Sequence, residues 1–374
     1  MKTFSIFIAL ALTITSCNSK STISSEVKVI PFVVKVNEFV NLSDFCTSIY
    51  YVPLETNSSC YISSISKIKI FGDSIFIFNE MGWNMKDILV FNKEGKFLGN
   101  FGKSGPGPEE IENPRDISKF KDSYLIWDRI KIAQYDKKGQ FRKKLFNAYL
   151  PGKNLFSYPD RILIYHGTQP PGLISSFDLN GTSQRIFKPT DPEPKNSTIE
   201  GENLIYTDGE CHFFAPSLDT VWALSGDQFF PRYVFDFKED LTLEKFFKKN
   251  SDKHGLEMLS LINSTPTSSV QSFNEGNKYI FASYLRSKQM SYKVFSKEKN
   301  RQIDFTYCDN DIDNGIFGKA IGMYDDNLII QLEPIKILSH SNKYKDSKHE
   351  LFNKFALTIK EDDNPVLMIC KLKL

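Results

Sequence analysis

Short runs of alternating or continuous apolar residues, each opened by a tight turn, recur along the chain. They read GDSIFIFN from Gly72, KDSYLIWD from Lys121, PDRILIYH from Pro159, DGECHFFA from Asp208, GNKYIFAS from Gly276 and DDNLIIQL from Asp325. Asp, Asn or Gly supplies the turn, and the β-branched and aromatic run behind it supplies a strand. A second phrase alternates with the first. FNKEGKFLGNFG at 91–102 returns 44 positions on as YDKKGQFRKKLF at 135–146, and again as FDLNGTSQRIF at 177–187. Weaker copies stand at VWALSGDQFF (221–230) and VFSKEKNRQIDF (294–305), where Asn300 replaces the glycine and tolerates the same left-handed turn. The last copy, VLMICKLKL, is half a phrase.

Together the two phrases make one antiparallel unit of four strands, placed in the first copy at 66–71, 74–79, 88–92 and 96–101. A unit of roughly 40 to 50 residues has the length of a β-propeller blade, and alone it covers neither of its faces. Six copies predict an all-β, six-bladed propeller. A sandwich would not repeat its hairpin phrase, and a β-helix needs shorter periods. The half phrase leaves an unpaired edge in the sixth blade, which an N-terminal strand is expected to fill and so close the ring. KVIPFVVKV at 28–36 and SIYYVPL at 48–54 are both candidates, with Pro31 and Pro53 suited to an edge or a first position. Two segments break the period with helical spacing. One carries Leu243, Phe246, Phe247, Leu256, Met258, Leu259 and Leu261; the other is NKYKDSKHELFNKFALTI, between Leu332 and Asn364. Both are expected as short helical insertions on one face, covering a pore mouth or gating a ligand.

Composition narrows the function more than the fold. With 374 residues, 41% hydrophobic and 14% aromatic, the chain can bury a large core. Lys and Arg number 47 against 45 Asp and Glu, with both signs interspersed, so no electrostatic footprint for nucleic acid is present. MKTFSIFIALALTITSC at the start has a Lys, then an apolar run too short for a membrane span, as in a secretory signal. ITSC resembles a bacterial lipobox, which would make Cys17 the lipidated N-terminus and anchor the protein by acyl chains alone. The expected division is therefore a signal at 1–16, a lipid-anchored tether at 17–40 leading into the closing strand, and the propeller at 41–374. The remaining Cys46, Cys60, Cys211, Cys308 and Cys370 contain no C-x-x-C pair; a bridge such as Cys46 to Cys60 is conceivable, but no disulfide framework is implied.

Motifs for chemistry are few. GNFGKSGPGPEE at 99–110 fails as a phosphate loop, since Phe97 stands where its first Gly is required and Pro106 and Pro108 follow where a helix should donate its amides. It reads as a connection between blades. His166, His212, His254, His340 and His349 form no metal-ligand spacing, although His166 and His212 fall on or at second strands of neighbouring blades. No G-x-S-x-G elbow exists around Ser104, and pairs such as Asp240 with Glu244 or Glu109 with Glu110 are common on solvated surfaces. Asp73, Asp122, Asp160, Asp208 and Asp326 recur as turn residues that accept backbone amides. The aromatic and polar residues at second-strand exits are the better candidates for a ligand. They are Trp127, Asp128 and Arg129, Tyr165 and His166, His212, and Tyr284 with Arg286. Rings and bidentate donors gathered on one face suit a glycan, and core packing accounts for the rings equally well.

YVPLET at 51–56, ILVFNKEGKFLGNFGKSGPGPEEI, LDTVWAL at 218–224 with FFPRYVFDF behind it, and DDNPVLMICKLK near the end resemble the six-bladed propeller lipoproteins of Bacteroidetes, distant relatives of NHL-type and TolB-like propellers. The resemblance covers roughly residues 40–374 and implies a lipid-anchored binding module. The reading is a non-enzymatic binding or scaffold propeller at the outer membrane, facing the periplasm or the exterior. It is expected as a monomer with an envelope protein or glycan as partner, without cofactor, metal or nucleic acid. The alternative is a propeller-type enzyme such as a glycan lyase or lactonase-like hydrolase.

Overall fold

The computed structural model describes residues 27–374 except 33–36, 82–83, 129, 150–151, 153, 166–173, 188–203, 208, 217, 226–227, 239 and 287. Six antiparallel sheets of consecutive strands follow one another as the blades of a propeller. Blade one is built from Ile65–Phe71, Ser74–Met81, Asn84–Asn92 and Phe97–Asn100, close to the strands expected from its sequence. Blade two runs from Pro114–Phe120 to Phe141–Asn147, blade three from Asn154–Ser157 to Ser183–Phe187, and blade four from Leu204–Thr207 to Gln228–Asp236. Blade five runs from Ser269–Glu275 to Gln302–Asp309. The first strand of every blade lines the central channel.

Blade six settles which N-terminal segment closes the ring. Lys319–Tyr324, Asn327–Leu332 and Val366–Leu372 supply three strands, and Cys46–Pro53 supplies the fourth, antiparallel to Val366–Leu372 with Tyr50 opposite Ile369. The other candidate does something different. Lys28–Pro31 lies parallel to the outer strand of blade four, and Asn37–Asn41 lies parallel to the outer strand of blade five, each as a fifth strand. Phe32 follows, wedged between these blades at 4.4 Å from the Phe237 ring and 4.7 Å from that of Tyr284.

The buried apolar residues divide into one cluster for each seam between neighbouring blades, because each sheet is apolar on both faces. Phe91, Ile77 and Leu367 fill the seam of blades six and one, for example, and Trp127, Ile132 and Ile164 that of blades two and three. A further small cluster, Leu243, Phe246, Phe247 and Met258, belongs to an insertion. That insertion holds helices α1 (Leu243–Lys249) and α2 (Gly255–Ser264) and joins blade four to blade five; α3 (Pro334–Lys343) and α4 (Glu350–Ala356) sit between the second and third strands of blade six. Strand alternation puts both on the same face, here the connection face; the turns between first and second and between third and fourth strands form the opposite, hairpin face.

The repeated hairpin phrase has two structural duties. Its second residue caps the turn: Oδ1 of Asn92 accepts from the amides of Glu94 and Lys96, Asp136 does the same for Lys138 and Gln140, and Asp178 for Asn180 and Thr182. The glycine sits at positive φ, 82° at Gly95, 78° at Gly139 and 88° at Gly181. It also meets the previous blade. A Cβ on Gly95 would collide with the Pro53 carbonyl at the end of the closing strand, one on Gly139 with the Gly102 amide leaving blade one, and one on Gly181 with the Phe146 side chain of blade two. The cysteines follow the same logic. Cys46 packs beside Cys370 in the seam of blades five and six, whereas the Cys60 thiol donates to the Glu55 carbonyl in the next seam, so the conceivable Cys46 to Cys60 bridge is not formed and the thiols are free.

Two glycines separate these duties. Gly72 has φ 62° and open space around its Cβ position, so Gly72→Ala is expected to cost only the left-handed strain, about 1 kcal/mol. Gly95→Ala adds a backbone collision and is expected to cost at least about 2 kcal/mol more, read from urea unfolding. Equal losses at the two positions would show that the hairpin does not hold the seam.

Candidate functional site

The second-strand residues expected to bind a ligand are mostly committed inside the protein. Trp127, Tyr165 and Tyr284 are 0%, 1% and 0% exposed and pack in the seams of blades two and three, three and four, and four and five respectively. Their rings are flat apolar area for neighbouring blades and are not open to a ligand. Arg129 and His166 lie outside the described residues.

Asp128, buried, accepts from the amides of Glu112 and Asn113 and pairs with Lys131 at 3.8 Å. The Lys131 ammonium in turn donates to the carbonyls of Gly107, Pro108 and Glu110. The GKSGPGPEE segment therefore wraps carbonyls around a cation, the reverse of a loop that offers amides to phosphate, and serves as the blade connection expected of it.

Arg286 grips Asp240 with two bonds, Nε at 2.7 Å and Nη2 at 3.0 Å, and Ser268 donates to the same carboxylate. These contacts tie the α1 and α2 insertion to blade five. Beside them Asp219 accepts from the Thr242 hydroxyl at 2.6 Å, while Glu244 accepts from the Asp219 amide. Burial, with the negative Glu244 nearby, pushes the Asp219 carboxyl up to about 6.

His212 is fully buried between two carboxylates, its Nδ1 2.7 Å from Glu275 and its Nε2 3.3 Å from Glu210. Glu275 also accepts from the Tyr233 hydroxyl at 2.7 Å and from Lys297 at 3.2 Å. Burial opposes the charge on Glu275, yet His212, Lys297 and Tyr233 outweigh it and hold its carboxyl below the ordinary range. Glu275 ends the inner strand of blade five and His212 is in the second strand of blade four, so this network is a polar clasp across a seam. Asp116 makes another clasp: it accepts from the Leu155 amide of blade three and lies 3.1 Å from Lys67 of blade one. No cluster of three or more metal-ligating side chains occurs among the described residues.

The channel is open. On the hairpin face a cavity of about 670 Å³ is bounded by the inner strands of all six blades. One wall is aromatic. Phe156 of blade three and Tyr206 of blade four stack with centroids 5.3 Å apart and planes 21° apart, and Tyr206 is 59% exposed. The wall next to it carries Lys119 and Lys121 of blade two, and beyond them Lys69 of blade one, which lies 3.9 Å from the buried Asp116. Towards the connection face a cavity of about 280 Å³ continues, with Ser66, Gln271, Ser272, Asn274 and Lys319 in its lining. The sequence pointed to second-strand exits; the open aromatics lie on first strands, in LFSYP and LIYT, where alternation alone does not separate a channel-facing ring from a seam-facing one.

A family model described as Domain of unknown function (DUF4934) matches residues 27–371. The chain belongs to the DUF4934 family. No curated protein matches it. Among solved structures, this DUF4934 chain is similar to a protein of Bacteroides fragilis NCTC 9343 described as exported, with TM-score 0.77 and 17% identity over 93% of this chain and 100% of that one. It is also similar to a DUF4221 family member from Bacteroides vulgatus ATCC 8482, with TM-score 0.52 and 12% identity over 88% and 97% of the two chains. At these identities the likeness is one of fold. No helix among the described residues of the DUF4934 chain is long and apolar enough to cross a membrane.

Two pH effects follow from the buried acids. The raised folded pKa of Asp219 means that its contribution is favourable below the unfolded value near 3.8 and is lost as pH rises through about 6. Asp219→Asn should therefore raise stability by about 1 to 3 kcal/mol at pH 8 and little at pH 4, by denaturant titration at both. Glu275 has the opposite sign: its stabilisation is present above the unfolded pKa and is lost as pH falls through the depressed folded one. Glu275→Gln is expected to cost about 3 to 5 kcal/mol at pH 7 and less in acid; a neutral effect at pH 7 would show that the clasp is dispensable.

Proposed function

We propose that this propeller is a non-enzymatic binding module of the cell envelope that seats a glycan in the channel mouth on its hairpin face. The observation that carries the reading is the Phe156 and Tyr206 stack, an aromatic platform left open in a cavity bounded by all six blades. Flat rings beside a few polar groups suit the mixed apolar and hydroxylated faces of sugars. Export is supported by the signal-like N-terminal pattern and by the exported description of the Bacteroides fragilis structure. Lipidation at Cys17 and an outer-membrane site belong to the same proposal, with no span needed.

A protein partner is the second reading. It is favoured by Phe39 and Tyr307, which stack at 5.3 Å on the outer edge of blade five, 67% and 56% exposed, beside a cavity of about 500 Å³. A glycan array and an envelope pull-down on the same protein separate the two. On the glycan reading Tyr206→Ala lowers array binding at least tenfold, about 1.4 kcal/mol, without lowering the melting temperature. Glycan binding unchanged in Tyr206→Ala, or a captured partner lost only in Phe39→Ala, would move the site to the outer edge.

A further inference from the structure

We propose that the glycan taken by the channel mouth is acidic, carrying a carboxylate or sulfate on a ring that stacks against Phe156 and Tyr206. This rests on the glycan reading and adds the charge of the ligand.

The argument is the asymmetry of the mouth. Its aromatic wall comes from blades three and four, whereas Lys119 and Lys121 stand two residues apart on the neighbouring blade two, both exposed; Lys69 of blade one is paired with Asp116. The acids in the same lining are Glu275 and Asp325. Glu275 is turned into its seam and fully engaged by His212, Tyr233 and Lys297. Asp325 is exposed, in the turn of blade six, and is separated from blade two by blade one. Positive charge is thus gathered on blade two, next to the stacking area that begins on blade three. A cavity walled by low-dielectric blades focuses such a field on whatever enters.

Lys121 marks a turn that differs from blade to blade. Its backbone is left-handed, φ 56°, at the turn where blade one has Gly72 at 62°. Glycine takes this conformation freely, whereas blade two holds Lys121 there and blade six holds Asp325 at φ 46°, so the charge at this height is set blade by blade and is positive beside the aromatic wall. A ring laid on the aromatic stack with a charged substituent reaching sideways to blade two would use both features at once. The cavity has the size of a site for a short oligosaccharide.

The test uses the mature protein on an array that pairs uronic acid, sialic acid and sulfated oligosaccharides with neutral counterparts, for example oligogalacturonate with its methyl ester. The expected result is binding confined to acidic members, weakened by salt, and at least tenfold weaker in Lys119→Gln/Lys121→Gln with an unchanged melting temperature. Equal binding of the neutral partners, or lysine variants that bind as the parent does, overturns the acidic ligand and leaves the glycan reading standing. Absence of any glycan binding overturns both.

Discussion

A four-stranded blade of this chain has two apolar faces and cannot bury either by itself. Every blade must therefore be covered by two neighbours, and the ring is the arrangement in which no face is left over. The consequence is visible in the core, which is not one mass but a series of seams. Fully buried Phe and Ile side chains, each worth about 1.5 to 3 kcal/mol on burial, are shared between successive sheets. A seam is also where the chain must be most exact about shape. The hairpin glycine of each early blade meets the outgoing strand of the blade before it, at Pro53, Gly102 and Phe146 in turn. Because one of those contacts is with the closing strand, the N-terminal segment is held by its partner strand in blade six and by the first hairpin of blade one at once. Glu55 continues the same joint, donating its amide to the Gly95 carbonyl and accepting from the Phe97 amide.

Near the channel the seams change character from apolar to polar. The inner strands converge there, and apolar side chains alone would leave backbone groups of adjacent strands without partners. Asp116, the Ser118 and Ser157 pair, and Glu275 with His212 meet this need by bonding from one blade to the next. Breaking one partner of such a network leaves a buried charge or donor uncompensated, which is costly whatever the network's net worth. These groups therefore look like chemistry in a list of residues and act as fasteners in the fold.

That contrast explains what the sequence could and could not reveal. The repeated phrase was legible because turn chemistry is local: a glycine or asparagine at positive φ declares itself within a few residues. The capping role of Asn92, Asp136 and Asp178 is equally local and stands one place after the aromatic in each copy, so its signal is present in the sequence. Closure was ambiguous because 28–36 and 48–54 alternate alike, and only pairing with Val366–Leu372 distinguishes them. His212 with Glu275, and Phe156 with Tyr206, were out of reach for a stronger reason. Their partners lie in different blades, and a repeat pattern specifies positions within a blade but not which face of the inner strand looks into the channel.

The candidate site follows from the same geometry. Aromatic residues at second-strand exits are consumed by seams because the second strand is flanked by sheets on both faces. First strands are flanked by sheets too, but their inner edge looks onto the channel, so a side chain at their hairpin end can lean out of the seam. Tyr206 does so, while its stacking partner Phe156 stays half in the seam and fixes the platform. A rigid ring of blades thus presents a preorganised aromatic surface without ordering a loop, and the entropic cost of binding there is correspondingly low. The same reasoning places specificity in the residues that differ from blade to blade at that one height, since the backbone around them repeats.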